Sequence, residues 1–201
     1  MTKFLILPVF AYVLGSIPWG IVLTRSFTSV DIRREGSGNI GATNVGRIAG
    51  PTLGVLTLIG DMLKGIIPVW IAVVLTTPNS VWSEIYISVV SLAAFSGHLY
   101  PVYMGFKKGG KGVATAAGCF AVISPLSFVV VTLVFILFVC WLNRVAVASL
   151  AAAAVLPIAI WQSTGSGILT GCAVITAILI YFRHKDNIKR LFKGTEPKIW
   201  N

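Results

Sequence analysis

The chain has 201 residues, of which 56% are hydrophobic and 11% charged, with a mean hydropathy of +0.90. An ordinary soluble domain carries about 25% charged residues, so a water-soluble globule is excluded and most of the chain belongs in lipid. The formal net charge of +10 does not mark a nucleic-acid partner, because basic residues in so apolar a chain decorate cytoplasmic loops and meet anionic head groups.

A helix needs roughly 20 predominantly apolar residues to cross a bilayer, and apolar runs fall at 4–24, 54–77, 84–104, 112–123, 126–142, 145–162 and 166–183. The first follows a lone Lys3 and contains Gly15-Ser16, but its length suits a span better than the roughly 7–15 residues of a signal-peptide core. The second opens with Gly60-Asp61-Met62-Leu63-Lys64-Gly65, an acid and a base three apart on one helix face. Ionisable groups within a span are paired or functional, and a structural ion pair near the cytoplasmic mouth is expected here in preference to direct catalysis. The fourth run, about 12 residues, rises only about 18 Å, which places its Lys111 end in a recess. Ser124-Pro125 separates it from the fifth, the alternative being one kinked helix over 112–142.

Charge placement decides between these two counts. Seven spans gather Arg25, Arg33, Arg34, Arg47, Lys107, Lys108, Lys111, Arg144 and the basic tail on one side, with only Lys3 opposite and Lys64 within a span. Merging two spans would strand Arg144 and the tail on the outer face, against the positive-inside tendency. The expected fold is an all-α polytopic membrane protein with about seven transmembrane helices, N-terminus outside and C-terminus cytoplasmic. It forms a single domain over 1–201. Cys119, Cys140 and Cys172 lie in apolar runs, odd in number, and suggest neither disulfides nor a zinc site.

Three polar segments stand out between the spans. The first reads Gly36-Ser37-Gly38-Asn39-Ile40-Gly41-Ala42-Thr43-Asn44-Val45-Gly46-Arg47. Glycines let backbone N–H groups approach an anion, Ser, Thr and Asn add neutral donors, and Arg adds a forked cation. A phosphate suits this cytoplasmic loop; an ordinary turn-rich loop is the alternative. The second, Gly97-His98-Leu99-Tyr100-Pro101 followed by Gly105-Phe106-Lys107-Lys108-Gly109-Gly110-Lys111-Gly112-Val113-Ala114-Thr115, sets a Gly/Lys loop before a helix N-terminus, where N–H groups and the helix dipole favour anions. Gly105, Gly110 and Lys111 match nucleotide P-loop spacing, but Gly112 stands where the Mg²⁺-binding hydroxyl belongs and no strand precedes it. In the third, after the last span, helical spacing puts His184, Asn187, Ile188 and Leu191 on one face, flanked by Arg183 and Arg190, with Lys185 and Lys189 elsewhere. A lipid-surface helix accounts for the basic residues but less well for a His/Asn pair facing with the apolar anchors.

There is no metal-spaced His/Cys/carboxylate cluster and no nucleophile elbow, so no metal or cofactor is expected. Acyl or phosphoryl chemistry would lean on positioning and charge. A small anion or phosphate-ester transporter also uses glycine-rich breaks, but near the midplane and often with an internal repeat. A lipid-binding scaffold explains basic loops but not the glycine pattern.

These motifs, together with Gly60-Asp61-x-x-Lys64-Gly65, Gly15-Ser16-Ile17-Pro18 and Arg183-His184-x-x-Asn187-Ile188-x-Arg190-Leu191, resemble the bacterial acyl-phosphate-dependent glycerol-3-phosphate acyltransferases, the PlsY family, over nearly the whole chain. The resemblance implies transfer of a fatty acyl group from acyl phosphate to the sn-1 hydroxyl of glycerol 3-phosphate. Lysophosphatidic acid and phosphate are then the products, at the cytoplasmic (inner) membrane with the site facing the cytoplasm. It carries over Ser37, Arg47, Lys111, His184 and Asn187 as catalytic residues. Gly38, Asn39, Thr43, Asn44, His98, Lys107, Gly109, Gly110, Gly112 and Arg190 bind substrate on this reading, and Asp61, Lys64 and Glu196 are structural. Lys107-Lys108 departs from the single lysine commoner before the glycines. A functional contact with an enzyme that forms acyl phosphate also follows. Since the donor is already an activated anhydride, direct attack without an acyl-enzyme is expected. Arg47, Lys111 and backbone N–H groups then hold the phosphates, Ser37 and Asn187 position them, and a substrate phosphate or His184 takes the proton.

Overall fold

The computed structural model describes residues 2–78, 80–107 and 109–200, with side chains from residue 5. The Lys3 side chain and Lys108, both counted above as topology charges, lie outside the described residues. The described residues form helices and no strand, and the chain divides into two compact units, Met1–Val122 and Ile123–Asn201.

In the first unit α1 (Thr2–Gly15) and α2 (Trp19–Phe27) replace the single helix expected over 4–24. They meet at a 42° bend, because Pro18 has no N–H to give and its ring disfavours a continuous helix. A short helix, α3 (Ala42–Ala49), follows, so the expected glycine-rich loop ends at Gly41, and Thr43, Asn44 and Arg47 are helical. The long α4 (Pro51–Leu75) starts with Pro at its first position, where a missing N–H costs nothing. Asp61 and Lys64 are therefore near the middle of α4, about 15 Å of rise from its start, not at the opening of the span. Next come α5 (Val81–Leu99), capped by the Ser80 side chain accepting from Ser83 N–H at 3.1 Å, then a 3₁₀ turn at Val102–Met104, where the sequence suggested helix to 104. With no strand among the described residues before Gly105, the segment lacks the setting of a nucleotide P-loop. The unit closes on α6 (Val113–Ile123), whose 11 residues rise only about 17 Å.

Helices in lipid have no hydrophobic drive toward one another, so close backbone approach at small residues holds them together. Here it is reciprocal. A side chain at Gly15 of α1 would strike the Ala94 carbonyl of α5, and one at Gly97 of α5 would strike the Tyr12 carbonyl of α1. Likewise Gly65 of α4 lies on the Thr115 carbonyl of α6, and Gly118 of α6 on the Met62 carbonyl of α4.

The second unit comprises α7 (Pro125–Leu142), α8 (Val145–Thr164), α9 (Gly167–Arg183) and α10 (Lys185–Phe192). Ser124 caps α7, accepting from Ser127 N–H at 3.3 Å, and Pro125 begins the helix; a kinked 112–142 helix does not form. Gly165 ends α8 in the left-handed region and Ser166 caps α9, accepting from Leu169 N–H at 3.2 Å. Only 6% of the α7 span is buried, against 50% for Val81–Met104, so α7 turns much of its surface to lipid beside its packing on α8. Among the described residues four helices are long and apolar enough to span, and α1/α2 and α9/α10 each qualify as a bent pair. With the short α6, these correspond to the apolar runs read from the sequence.

Candidate functional site

In the first unit, the segment from Asp31 to Arg47 is organised around one amide. Asn44, 3% exposed, accepts from Ser37 N–H at 2.9 Å through Oδ1, while its Nδ2 donates to the carbonyls of Asn39 (3.0 Å), Glu35 (3.1 Å) and Ile32 (3.4 Å). Asn44 thus ties the loop bearing Ser37 to the helix bearing Arg47. Gly36 and Gly38, at φ +57° and +67°, supply the left-handed turns this wrapping needs. Beneath the loop, Ile21, Ile32, Ile40, Val45 and Leu53 form a small core. Asn39 Oδ1 accepts from Gly41 N–H at 2.9 Å. Ser37, Thr43 and Arg47 remain exposed, with Thr43 and Arg47 four apart on one face of α3. Asp31 binds Arg33 through a forked pair of bonds at 2.8 and 2.7 Å. The hydrogen bond from Arg33 holds the Asp31 carboxyl well below the usual carboxylate range. This pairing was missed in the sequence, where Arg33 counted only as a topology charge.

The glycine-lysine segment is fastened to the end of α5. Gly110 N–H donates to the His98 carbonyl at 3.2 Å. A side chain on Gly109 would collide with the Leu99 carbonyl, one on Gly110 with the His98 ring, and one on Gly112 with the Phe95 ring. These glycines let the loop lie flat on α5 and deliver Lys111, half-buried, to the start of α6, while Lys107 is exposed. Below the loop, His98 is 3% exposed and its Nδ1 is 3.6 Å from Asp61 Oδ1. Asp61 Oδ1 is also 2.8 Å from Lys64 Nζ, which donates to the Ile17 carbonyl at 2.9 Å. One buried chain of polar contacts therefore runs from the α1/α2 break, through α4, to the residue beneath Gly110.

In the second unit, α9 and α10 meet at a 58° bend at His184. The His184 ring, 2% exposed, has Nδ1 2.8 Å from the Ile180 carbonyl. A carbonyl only accepts, so Nδ1 carries the proton in this bond. Asn187, 5% exposed, donates to Glu196 Oε1 at 2.6 Å, and Arg190 Nε donates to Oε2 at 2.8 Å. Lys185 and Lys189 are exposed on the other side of α10. The tail bearing Glu196 is pinned by residues the sequence reading had passed over or taken only as a charge. Arg144 Nε donates to the Glu196 carbonyl at 3.2 Å, and Asn143 Oδ1 accepts from the Ile199 and Trp200 N–H groups at 3.0 and 3.1 Å. Asn143 sits at φ +53°, so an Asn between two apolar spans, at a helix end that wants a left-handed residue, was the available signal.

An all-helical membrane protein with anion-suited glycine, serine, arginine and lysine segments defines the class. The family model of glycerol-3-phosphate acyltransferase matches residues 5–194, and the chain belongs to that family. It is 48% identical over 198 residues to the glycerol-3-phosphate acyltransferase of Syntrophotalea carbinolica, covering 98% of both chains. It is 44% identical over 198 residues to that of Geobacter sulfurreducens, again covering 98% of both. Among solved structures it resembles PlsY (YgiH), an integral membrane glycerol 3-phosphate acyltransferase. Its glycerol 3-phosphate form matches at a TM-score of 0.91 and its lysophosphatidic acid form at 0.89. Each is 39% identical and covers 98% of this chain and 95% of that one.

Proposed function

We propose that this membrane acyltransferase moves a fatty acyl group from acyl phosphate to the sn-1 hydroxyl of glycerol 3-phosphate by direct attack. The hydroxyl oxygen attacks the acyl carbonyl carbon, the bond from that carbon to the phosphate oxygen breaks, and phosphate leaves with lysophosphatidic acid as the other product. The observation that carries this reading is the likeness, over nearly the full length of both chains, to PlsY in its glycerol 3-phosphate and lysophosphatidic acid forms.

Within the first unit, the exposed Ser37 and Arg47 are suited to a phosphate ester, being fixed relative to one another through Asn44. Lys111 opens α6, where its charge adds to the helix N-terminus. Thr43, Gly38 and Lys107 join these as binding residues. Asn44, Asn39, His98, Gly109, Gly110 and Gly112 act by shaping the loops. Within the second unit, His184 takes the hydroxyl proton through Nε2, or a substrate phosphate does so, and Asn187 is oriented by Glu196 with Arg190 on its other oxygen. Since the donor is an activated anhydride, no protein nucleophile is required.

The reading extends to placement. Residues 1–201 act as one acyltransferase domain of seven spans in the bacterial cytoplasmic (inner) membrane, N-terminus outside, with the site facing the cytoplasm. The gathering of Lys and Arg on one side supports it. A functional contact with an enzyme that forms acyl phosphate follows from the donor's amphiphilic chemistry.

The test is to incubate purified protein in lipid with palmitoyl phosphate and glycerol 3-phosphate and to measure lysophosphatidic acid. Formation is expected from acyl phosphate and not from acyl thioesters; activity with thioesters alone overturns the donor assignment. An acyl group trapped on Ser37 or a cysteine during turnover overturns direct attack.

A further inference from the structure

The second unit carries a groove that the residues assigned to acyl transfer do not use. It has a volume of about 670 Å³ and runs between α8 and α9 to the exposed side of α10, within the range of about 300–1,000 Å³ typical of ligand sites. The lining residues Ala153, Ala154 and Pro157 of α8 and Ala177 of α9 are short, so they leave space beside the α8–α9 contact unfilled. The Tyr181 hydroxyl donates to the Leu150 carbonyl of α8 at 3.0 Å, which fixes the Tyr181 ring in the wall.

Polarity is confined to one end. The trough is apolar along α8 and α9, and Lys185 and Lys189 lie where it meets α10, with no acidic side chain in the lining. These lysines are four apart and so share a helix face. His184 and Asn187 are buried and turned away from them. An apolar trough ending at two ammonium groups is complementary to an amphiphile with an anionic head, and basic pockets between membrane helices receive lipid phosphates. Ile178 and Phe182, both exposed, border the trough, so it is reached from the bilayer.

We infer that this groove binds an anionic phospholipid of the surrounding membrane, its phosphate on Lys185 and Lys189 and one acyl chain between α8 and α9. Native mass spectrometry of the full-length protein in detergent tests it, using phosphatidylglycerol and phosphatidylcholine of identical chains. Phosphatidylglycerol is retained preferentially. The variant K185Q/K189Q loses about fivefold per lysine and roughly thirtyfold for the pair, with phosphatidylcholine unchanged. A154F, which fills the trough, lowers retention of both lipids. Equal retention of the two lipids by the parent protein, or unchanged phosphatidylglycerol retention in K185Q/K189Q, overturns the inference. So does displacement of phosphatidylglycerol by lysophosphatidic acid at equal or lower concentration, which would assign the groove to the reaction product. Binding is read without turnover, so failure here leaves the proposed reaction untouched.

Discussion

The ammonium of Lys64 donates to the carbonyl oxygen of Ile17 at 2.9 Å, joining the middle of α4 to the break between α1 and α2. Outside a regular helix, the Ile17 carbonyl accepts from Trp19 N–H at 3.1 Å and has a second lone pair to satisfy. Lys64 meets that need while Asp61, 2.8 Å away, balances its charge. The family-like Gly15-Ser16-Ile17-Pro18 and Gly60-Asp61-x-x-Lys64-Gly65 motifs are thus two halves of one structural feature.

Removing one partner of this pair is expected to harm the protein more than removing both. K64M strands a buried carboxylate, and loss of one member of a buried pair costs about 3–5 kcal/mol. D61L/K64M removes both charges and retains more stability. Thermal unfolding of the three proteins in one detergent checks the order; equal midpoints for K64M and the parent would remove the pair from the account.

G110A adds a methyl group against the His98 ring. Overpacking of this kind costs about 1–3 kcal/mol, and the loop, itself outside any helix, is expected to give way before α5 does. Lysophosphatidic acid formation should fall at least about tenfold with the unfolding midpoint nearly unchanged. H98A in the G110A background makes room for the methyl, so partial recovery of activity is expected over G110A alone. No recovery would place the defect elsewhere.

N44L removes the amide that holds Ser37 N–H and three carbonyls. Each unsatisfied buried group costs about 1–3 kcal/mol, and the loop carrying Ser37 separates from the helix carrying Arg47. The expected result is faster proteolysis within residues 32–41 and a raised KM for glycerol 3-phosphate. Unaltered proteolysis with unaltered KM would contradict the role given to Asn44.

E196A leaves Asn187 and Arg190 without their acceptors. Hydrogen bonds to charged groups contribute about 1.5–3 kcal/mol each, so the tail should loosen around residue 196 while Arg144 and Asn143 still hold its backbone, and activity should fall. E196Q keeps one carbonyl oxygen for Asn187 and should retain more activity than E196A. Hydrogen exchange of residues 194–200 together with the activity ranking checks both; protection equal to the parent in E196A would exclude the tail-anchoring role.

Much of the fold is legible in the sequence because its signals are local. Apolar run length, Ser124-Pro125 and Ser166 mark where helices stop and start through groups within a few residues of one another. Misreadings occurred where a short-range signal competed with another. Pro18 lies inside an apolar run, so its break was absorbed into one span over 4–24. Thr43, Asn44 and Arg47 lie among glycines that read as loop, yet Val45 and Ile48 pack α3 onto the small core with Leu53. The ion pair reads as lying at the mouth because Gly60-Asp61-x-x-Lys64-Gly65 looks like the opening of the second span, whereas α4 begins at Pro51 and carries the pair near its middle.

By itself the sequence determined that this protein lives in lipid, that its polar chemistry is gathered in a few glycine-rich and basic segments, and, through their order, which family it resembles. Those properties depend on composition and on spacing along one helix turn. Only the tertiary structure decided which polar groups are support and which are exposed. Asn44, His98 and Glu196 look no different from Ser37 or Arg47 as letters, but their partners lie in other segments of the chain, and burial without those partners would be costly. The same holds for the glycines around Lys111. The sequence suggests an anion cradle, while the collisions a side chain would make with Phe95, His98 and Leu99 give each glycine a steric reason that exists only once α5 lies beneath the loop.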